Sequence, residues 1–105
     1  MKNKIEEMSE KYPKTMEEMR TLIEHNLIVF AGKQADYGPN NILLNNNINL
    51  SLLGISIRSN DKIQRILNLL NNDQKPNNES LEDSFLDLAN YAYMAVILMR
   101  GKWGK

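Results

Sequence analysis

Cysteine is absent from this chain of 105 residues, and histidine occurs once, at His25. The missing thiols exclude disulfide bridges and thiolate metal sites, and a single imidazole excludes a histidine-rich zinc site within one chain. The formal net charge is zero, so no overall field attracts DNA or an anionic membrane surface. Recognition of a ligand therefore depends on local groups of side chains.

Long apolar runs are also missing. The longest falls well short of the ~20 residues that cross a bilayer, and the charged N-terminus is followed by no apolar segment. We therefore expect a cytoplasmic protein with no signal peptide, no membrane contact and no direct DNA binding. A length of 105 residues suits a single domain over residues 1–105 with a modest core.

Helical periodicity dominates what is present, and no alternating run is long enough for a strand. Residues 1–14 allow a short helix that ends before Pro13. A capping box at Thr15 then predicts a first long helix, which Gly32 would end. Residues 50–71 and 79–99 predict two more helices. The fold class is therefore an all-α bundle of three main helices, with a further short helix possible at the N-terminus.

Turn formers and asparagines separate these helices. Residues 33–41 predict a turn, and residues 40–49 an irregular segment or a loop with a short helix. In the second helix, apolar side chains at helical spacing predict the face that packs in the core: Ile63, Ile66, Leu67 and Leu70. Asn77 or Asn78 would cap the last helix, and Gly101 would end it.

The last helix changes character at Asn90. Beyond that residue it is apolar almost all the way round, which is typical of a helix buried on every side, either in a core or against another subunit. Three helices of this length leave part of that surface uncovered, so we expect a homo-oligomer. The alternative is that the first long helix and residues 40–53 cover it within one chain.

Acidic side chains mark the first half of the same helix. Glu79, Asp83, Asp87 and Asn90 fall within roughly 80° on a helical wheel. Acids in a first turn often only complement the helix dipole, but this does not explain Asp87. Carboxylates one turn apart can instead hold a divalent cation such as Mg²⁺, which prefers oxygen ligands and activates water.

Two further groups could hold a nucleotide. Arg58, Asp61, Lys62 and Arg65 share one face of the second helix and form a net positive strip, although such a strip is often only solvated. Lys33, Asp36 and Tyr37 stand in the predicted turn, where Lys33 could contact a phosphate and Tyr37 could stack on a base.

Taken in order, these groups resemble one family, the nucleotide modification associated domain, type 1, which occurs in bacteriophage and bacterial proteins. The resemblance covers about residues 22–98. Its motifs run through Lys33, Asp36-Tyr37-Gly38 and Asn41, then Gly54-Ile55, Arg58, Asp61-Lys62 and Arg65, then Glu79-Ser80, Asp83 and Asp87-Leu88-Ala89-Asn90-Tyr91. It implies a nucleotide-related role without defining a reaction.

A more distant resemblance is to the MazG-like all-α nucleoside triphosphate pyrophosphohydrolases. Those proteins hold Mg²⁺ with a Glu-x-x-Glu pair on one helix and a Glu-x-x-Asp pair on a later one. Here the later pair would correspond to Glu79 and Asp83, at a spacing of four. The first long helix offers no Glu-x-x-Glu pair on its inner face, and this departure affects hydrolysis more than nucleotide binding.

Three functions are compatible with these patterns. The first is a Mg²⁺-dependent pyrophosphohydrolase acting on the nucleotide pool, with metal ligands at Glu79, Asp83, Asp87 and Asp61 and catalytic roles for Asp83 and Asp87. Its nucleotide contacts would be Lys33, Asp36, Tyr37, Arg58, Lys62, Arg65, Asn90 and Tyr91. The second is a non-catalytic sponge that sequesters a nucleotide immune signal, an anti-defence protein whose carboxylates pair with the cations. The third is a helical adaptor without a small-molecule ligand.

Overall fold

Four α-helices and no strand make up the computed structural model, which describes residues 1–105. The helices are α1 (Lys4–Lys11), α2 (Pro13–Tyr37), α3 (Ile48–Asn71) and α4 (Leu81–Met99). This order confirms the all-α prediction, with three long helices and a short one before them. None of the four is both long enough and apolar enough for a membrane span.

The chain divides into two compact units, Met1–Lys33 and Gln34–Lys105, and each is described by itself. The single domain over residues 1–105 stays a prediction. In the first unit, α1 begins after Asn3, whose side chain accepts a hydrogen bond of 2.9 Å from the Glu6 N–H. Such a cap satisfies one of the backbone donors that a helix leaves free at its start.

The start of α2 differs from the prediction. The helix begins at Pro13 rather than after a cap at Thr15. Proline suits the first helical position, because its φ is already helical and its missing N–H would have no partner there. The predicted capping box was therefore wrong.

The end of α2 differs as well. Gly32 lies inside the helix, which continues to Tyr37, and Gly38 ends it with a φ of +68°. Glycine adopts that left-handed conformation without steric cost, so Gly38 is the natural end of the helix. As a result, the predicted turn at residues 33–37 was wrong, and those residues form the last turns of α2.

The loop of residues 38–47 contains most of the asparagine-rich segment predicted at residues 40–49, whose last two residues, Ile48 and Asn49, belong to α3 instead. The asparagines of the loop have a physical role. Asn45 and Asn46 adopt φ angles of 52° and 50°, in the left-handed region that asparagine tolerates better than most residues. Asn47 caps α3, because its side chain accepts a hydrogen bond of 3.0 Å from the Leu50 N–H. The loop therefore leads directly into α3.

The core of the second unit lies where α3 packs against α4. Its buried apolar side chains are Ile42, Ile55, Ile66, Leu69, Met94, Leu98 and Trp103. The predicted core face of α3 was mostly wrong, because Ile66 is buried but Ile63, Leu67 and Leu70 are exposed. The helix is rotated so that Lys62 and Arg65 point towards acidic and polar groups at the start of α4.

The start of α4 is set by Ser80, not by Asn77 or Asn78. The Ser80 hydroxyl accepts a hydrogen bond of 3.0 Å from the Asp83 N–H, which makes Ser80 the N-cap. The helix therefore begins at Leu81, and Glu79, predicted as its first residue, lies in the loop before it.

Gly101 ends α4, as predicted. It adopts a φ of +67°, and its N–H donates to the Leu98 carbonyl at 3.0 Å. The Lys102 N–H donates to the Ile97 carbonyl at 3.1 Å, so two terminal carbonyls of the helix are satisfied. The chain then turns back, and buried Trp103 donates from its indole Nε1 to the Pro39 carbonyl at 3.0 Å.

One face of α4 is not covered within the second unit. Phe85, Val96 and Met99 are 52%, 44% and 68% exposed, and Ala89 and Ala92 between them are also exposed. The two predicted options, cover by the first long helix with residues 40–53 and cover by a second subunit, stay predictions.

Candidate functional site

A single ammonium group joins two carboxylates at the packed helices of the second unit. Lys62 Nζ on α3 lies 2.6 Å from Glu79 Oε1 and 2.9 Å from Asp87 Oδ2. The Lys62 and Asp87 side chains are only 20% and 17% exposed, so water screens these contacts poorly. Removing Lys62 would therefore take an ion pair from both carboxylates at once.

Arg65 extends this group towards the start of α4. Its guanidinium donates to the backbone carbonyl of Glu79, to the Ser84 hydroxyl at 2.6 Å and, at 3.5 Å, to the carbonyl of Ser80. The fully buried Ser84 hydroxyl in turn donates to Glu79 Oε1 at 3.0 Å. We call the resulting set the acid–base cluster: Lys62, Arg65, Glu79, Ser84 and Asp87.

The periodicity of the two helices builds the cluster. Lys62 and Arg65 are three residues apart on α3, and Ser84 and Asp87 are three residues apart on α4, so each pair lies on one face. Glu79 lies in the loop just before the Ser80 cap, where it reaches both cations. Two cations and two carboxylates make the cluster neutral.

The pKa shifts follow from these contacts. Burial alone lowers the pKa of Lys62, but the hydrogen bonds and charges of Glu79 and Asp87 outweigh it and raise that pKa above its ordinary value. For Glu79, the hydrogen bond from Lys62 is the main cause of a lowered pKa. Burial opposes this shift, while the hydrogen bond from Ser84 and the charge of Arg65 reinforce it.

Four of the predicted site residues are thus brought together: Lys62, Arg65, Glu79 and Asp87. Arg58 lies one turn before Lys62 on exposed surface, and its Nη2 donates to the Asn41 carbonyl at 3.3 Å. Asn90 is buried on α4, and Tyr91 is half-buried next to it.

Two of the other predicted site residues are absent from the cluster's ion pairs, and three lie on α2. Asp61 and Asp83 are exposed on α3 and α4, and neither carboxylate takes part in the cluster's ion pairs. Lys33, Asp36 and Tyr37 lie along the last turns of α2 with exposed side chains. The nucleotide and metal roles predicted for these five residues stay predictions.

Glu79 and Asp87 supply carboxylate oxygens, the kind of ligand that Mg²⁺ prefers. No group of three or more histidine, cysteine, aspartate or glutamate side chains is arranged to hold a metal ion. The carboxylates of Glu79 and Asp87, however, lie within ion-pair distance of one Lys62 nitrogen. Because Mg²⁺ is commonly bound by one or two carboxylates together with substrate phosphates, this pair fits a metal that arrives with a phosphate.

The sequence analysis did not identify two serines of this region as site residues. Ser84 is buried with both its donor and its acceptor used, and Ser80 is the cap of α4. The available signals were the Ser-x-x-Asp spacing from Ser80 to Asp83, which resembles a capping box, and a small polar residue three positions before Asp87. Their role as acceptors for Arg65 depends on how α3 is rotated.

This fold and cluster define an all-α protein with a neutral, half-buried ion-pair network between two helices. The chain belongs to the nucleotide modification associated domain 1 family, which it matches over residues 33–99. That range includes the whole cluster and ends at the last residue of α4, and it confirms the resemblance that was placed at about 22–98. No curated protein and no solved structure matches the chain. The distant similarity to MazG-like proteins stays a prediction.

Proposed function

We propose that this protein binds a nucleoside triphosphate together with Mg²⁺, with the phosphates at the acid–base cluster. The observation that carries the proposal is the position of Lys62 between Glu79 and Asp87, at 2.6 and 2.9 Å. One cation there already bridges two carboxylates, which is the task that a divalent metal performs in phosphate sites. The family to which the chain belongs supports a nucleotide-related ligand.

Charge balance favours the metal–phosphate pair over a bare phosphate. A phosphate alone would have to draw Lys62 and Arg65 away from Glu79 and Asp87, which would leave two carboxylates close to the new anion. A phosphate that carries Mg²⁺ exchanges partners instead, since the carboxylates take the metal and the two cations take the phosphate oxygens. Every charge in the cluster then keeps a partner of opposite sign.

With the phosphates at the acid–base cluster, roles follow for the remaining predicted residues. Arg58, one turn before Lys62, extends the cationic strip along α3 and holds a further phosphate. Asn90 and Tyr91 contact the base or sugar from α4. These assignments follow the order of the side chains along the two helices that form the cluster.

The activity that we propose is pyrophosphohydrolysis. A water oxygen bonds to the α-phosphorus, the bond from that phosphorus to its bridging oxygen breaks, and pyrophosphate leaves with the electron pair. Bound Mg²⁺ would supply charge neutralisation and activation of the water. Glu79 and Asp87 hold the metal, Lys62 and Arg65 hold the phosphates, and Asp83 takes up the proton that the water loses. Asp61 is the further metal ligand in this proposal.

A second candidate function is sequestration without chemistry. The observation that favours it is that Lys62 already neutralises Glu79 and Asp87, while no third carboxylate completes a metal group. The protein would then hold an intact nucleotide signal, of the cyclic or ADP-ribose type, and act as an anti-defence sponge. Retention would depend on Arg58 and Arg65 and not on Mg²⁺.

One experiment separates the two functions. The protein is incubated with single nucleoside triphosphates and cyclic nucleotides, with Mg²⁺ or with a chelator, and bound and free products are identified by mass. We expect pyrophosphate release that requires Mg²⁺. An intact nucleotide that stays bound in the chelator and is released unchanged on denaturation would support sequestration instead, and no binding at all would reject both functions.

Two variants test the catalytic role proposed for Asp83. Asp83→Asn should abolish turnover, whereas Glu82→Gln, which removes the same charge from an exposed neighbouring position, should leave it unchanged. Equal turnover in both variants would reject the role of Asp83. In the sequestration reading, Arg65→Ala should release the ligand while addition of the chelator does not.

We also propose that two copies of the chain associate through α4. Its exposed apolar residues, Phe85, Ala89, Ala92, Val96 and Met99, recur at alternating spacings of four and three, which is the pattern of a helix that packs along another helix. The two alanines in the middle allow a close approach. In an antiparallel pair, Glu82 at one end of α4 lies beside Arg100 and Lys102 at the other end of the partner helix, so the charges match as well.

A further inference from the structure

A second site candidate lies next to the acid–base cluster, between the loop of residues 38–47 and the first half of α3. It is a cavity of about 210 Å³. Its main lining residues are Asn41, Ile42, Leu44, Gly54, Ile57 and Arg58. Apolar side chains thus form most of the wall, and the polar side chains in it are those of Asn41, Arg58 and Ser51, whose hydroxyl is already bonded to the Leu44 N–H and the Asn47 carbonyl.

The amide of Asn41 has an unused acceptor. Its Oδ1 is buried and has no hydrogen-bond partner, although buried polar atoms almost always have one. The backbone carbonyl of the same residue accepts from Arg58 Nη2 at 3.3 Å, so the main chain at this position is held in place. A buried acceptor without a donor is unfavourable, and a ligand N–H would satisfy it.

The loop that carries Asn41 is anchored at both ends. The Pro39 carbonyl accepts from the Leu43 N–H at 3.0 Å and from Trp103 Nε1 at 3.0 Å. Further along, the buried Ser51 hydroxyl accepts from the Leu44 N–H at 2.9 Å and donates to the Asn47 carbonyl. The backbone that carries Asn41 is therefore fixed, and only its side chain has to turn for the buried Oδ1 to reach a ligand in the cavity.

Gly54 shapes the wall opposite the loop. A Cβ at this position would lie 3.3 Å from Leu44 Cδ1, closer than ordinary contact, so Leu44, which also lines the cavity, would have to move. The volume is smaller than the roughly 300–1,000 Å³ of sites that enclose a whole small molecule. The cavity therefore suits one flat ring, with the rest of a ligand outside.

We infer that this cavity is the nucleobase subsite of the proposed nucleotide site, and that it takes a base with an exocyclic amino group, such as adenine or cytosine. The amino group donates to Asn41 Oδ1, while the apolar walls cover the ring. The inference rests on the proposed function and adds the class of base to it.

The position of the phosphates agrees with this assignment. Arg58 lines the cavity, and Lys62 and Arg65 follow it on the same face of α3 at spacings of four and three. With a rise of 1.5 Å per residue, they lie about 6 and 10 Å further along the helix axis. A base in the cavity can therefore extend its phosphates past Arg58 to the acid–base cluster.

The test measures equilibrium dialysis affinities of the full chain, with Mg²⁺ present, for three ligands: the α,β-methylene analogue of adenosine triphosphate, the same analogue of purine riboside triphosphate, and inorganic tripolyphosphate. The methylene group replaces the bridging oxygen whose bond the proposed reaction breaks, so the two nucleotides stay intact. They differ only in the amino group, and we expect the adenosine compound to bind roughly tenfold more tightly than the purine riboside compound. Equal affinities would overturn the inference while leaving phosphate binding intact.

A variant then assigns the effect to Asn41. Asn41→Leu keeps a similar volume but removes the acceptor, and its matched control is Asn40→Leu at the exposed neighbouring position. Asn41→Leu should lose the preference for the amino base and leave tripolyphosphate affinity unchanged, whereas Asn40→Leu should keep the preference. A preference retained in Asn41→Leu would contradict the inference, and failure of the unmodified chain to bind any triphosphate would reject the proposed function with it.

Discussion

Nη1 of Arg65 donates a hydrogen bond of 2.6 Å to the hydroxyl of Ser84, a side chain with no exposed surface. A half-buried guanidinium on α3 is thus fixed to α4 through a neutral group rather than a carboxylate. The Ser84 hydroxyl itself donates a hydrogen bond of 3.0 Å to Glu79 Oε1. This one hydroxyl therefore links the cation that holds the start of α4 to the carboxylate that holds Lys62.

The first prediction concerns that hydroxyl. Ser84→Ala should lower the free energy of unfolding by about 1–3 kcal/mol, because Arg65 and Glu79 each lose a hydrogen-bond partner in a buried position. Urea denaturation measures the change. The control is Ser56→Ala, whose hydroxyl bonds only to the Leu52 carbonyl on exposed surface, and it should stay within about 0.5 kcal/mol of the unmodified chain. Equal effects in both variants would contradict a linking role for Ser84.

The second prediction concerns pH. The pKa of Glu79 is lower in the folded chain than its ordinary value of 4.5, so its ion pair stabilises the fold above that pH. The stabilisation should be lost as the pH falls through the lowered pKa of the folded state. Lys62 has a raised pKa and behaves in the opposite sense, since its contribution is complete below 10.5 and is lost as the pH rises above the folded value.

Thermal unfolding between pH 2 and 7 tests the acidic half of this prediction. Glu79→Gln should be less stable than the unmodified chain at pH 7, and its stability should fall less steeply towards acid. The exposed acid Glu18 on α2 offers the control, since Glu18→Gln should keep the original slope. A Glu79→Gln variant with the original slope would show that this carboxyl does not govern the acid response.

The third prediction concerns the exposed face of α4. Val96→Glu places a charge in the middle of the apolar stripe, so the proposed dimer should dissociate into monomers because the charge would be buried without a partner. Light scattering after size-exclusion chromatography gives the mass. Gln64→Glu adds the same charge to an exposed position on α3 and should leave the dimer intact. A monomer in the unmodified chain at high concentration would reject the dimer.

The fourth prediction concerns the last residues of the second unit. Gly104 adopts a φ of +71°, and an added Cβ would lie 2.9 Å from Pro39 Cβ, so Gly104→Ala should loosen the contact between Trp103 and Pro39. Trp103 is the single tryptophan of the chain, and its fluorescence should shift to longer wavelength as it meets water. Gly32→Ala, at a helical glycine with no atom near its added Cβ, should leave the emission unchanged. A red shift absent from Gly104→Ala would count against this contact.

The sequence predicted the helices better than their ends. Residues 50–71 and 79–99 were close to α3 and α4, because periodic apolar residues and Gly101 are local signals. The helix start predicted at Thr15 and the helix end predicted at Gly32 were wrong, and the reason is also local. Glycine and a capping pattern permit a helix end without requiring one, and Pro13 and Gly38 offered better ends for the same helix.

The rotation of α3 could not be predicted in the same way. A helical wheel separates charged from apolar side chains, and the charged face is ordinarily assigned to water. Here Lys62 and Arg65 face α4, because Asp87 and Ser84 on that helix offer them partners at matching heights. The three charged residues were recognised as candidates and Ser84 was not, and pairing of the carboxylates with these cations was kept as an alternative. Deciding in favour of that pairing requires the positions of both helices, which one helical wheel does not give.

The hydrogen bond between Trp103 and the Pro39 carbonyl also bears on the order of folding. It joins residues 64 positions apart, whereas α3 and α4 are adjacent along the chain and joined by a short loop. The entropic cost of closure grows with the length of chain enclosed, so we expect the helical hairpin to form before this contact. We therefore expect the Pro39 end of the loop to become ordered after α3 and α4 have paired.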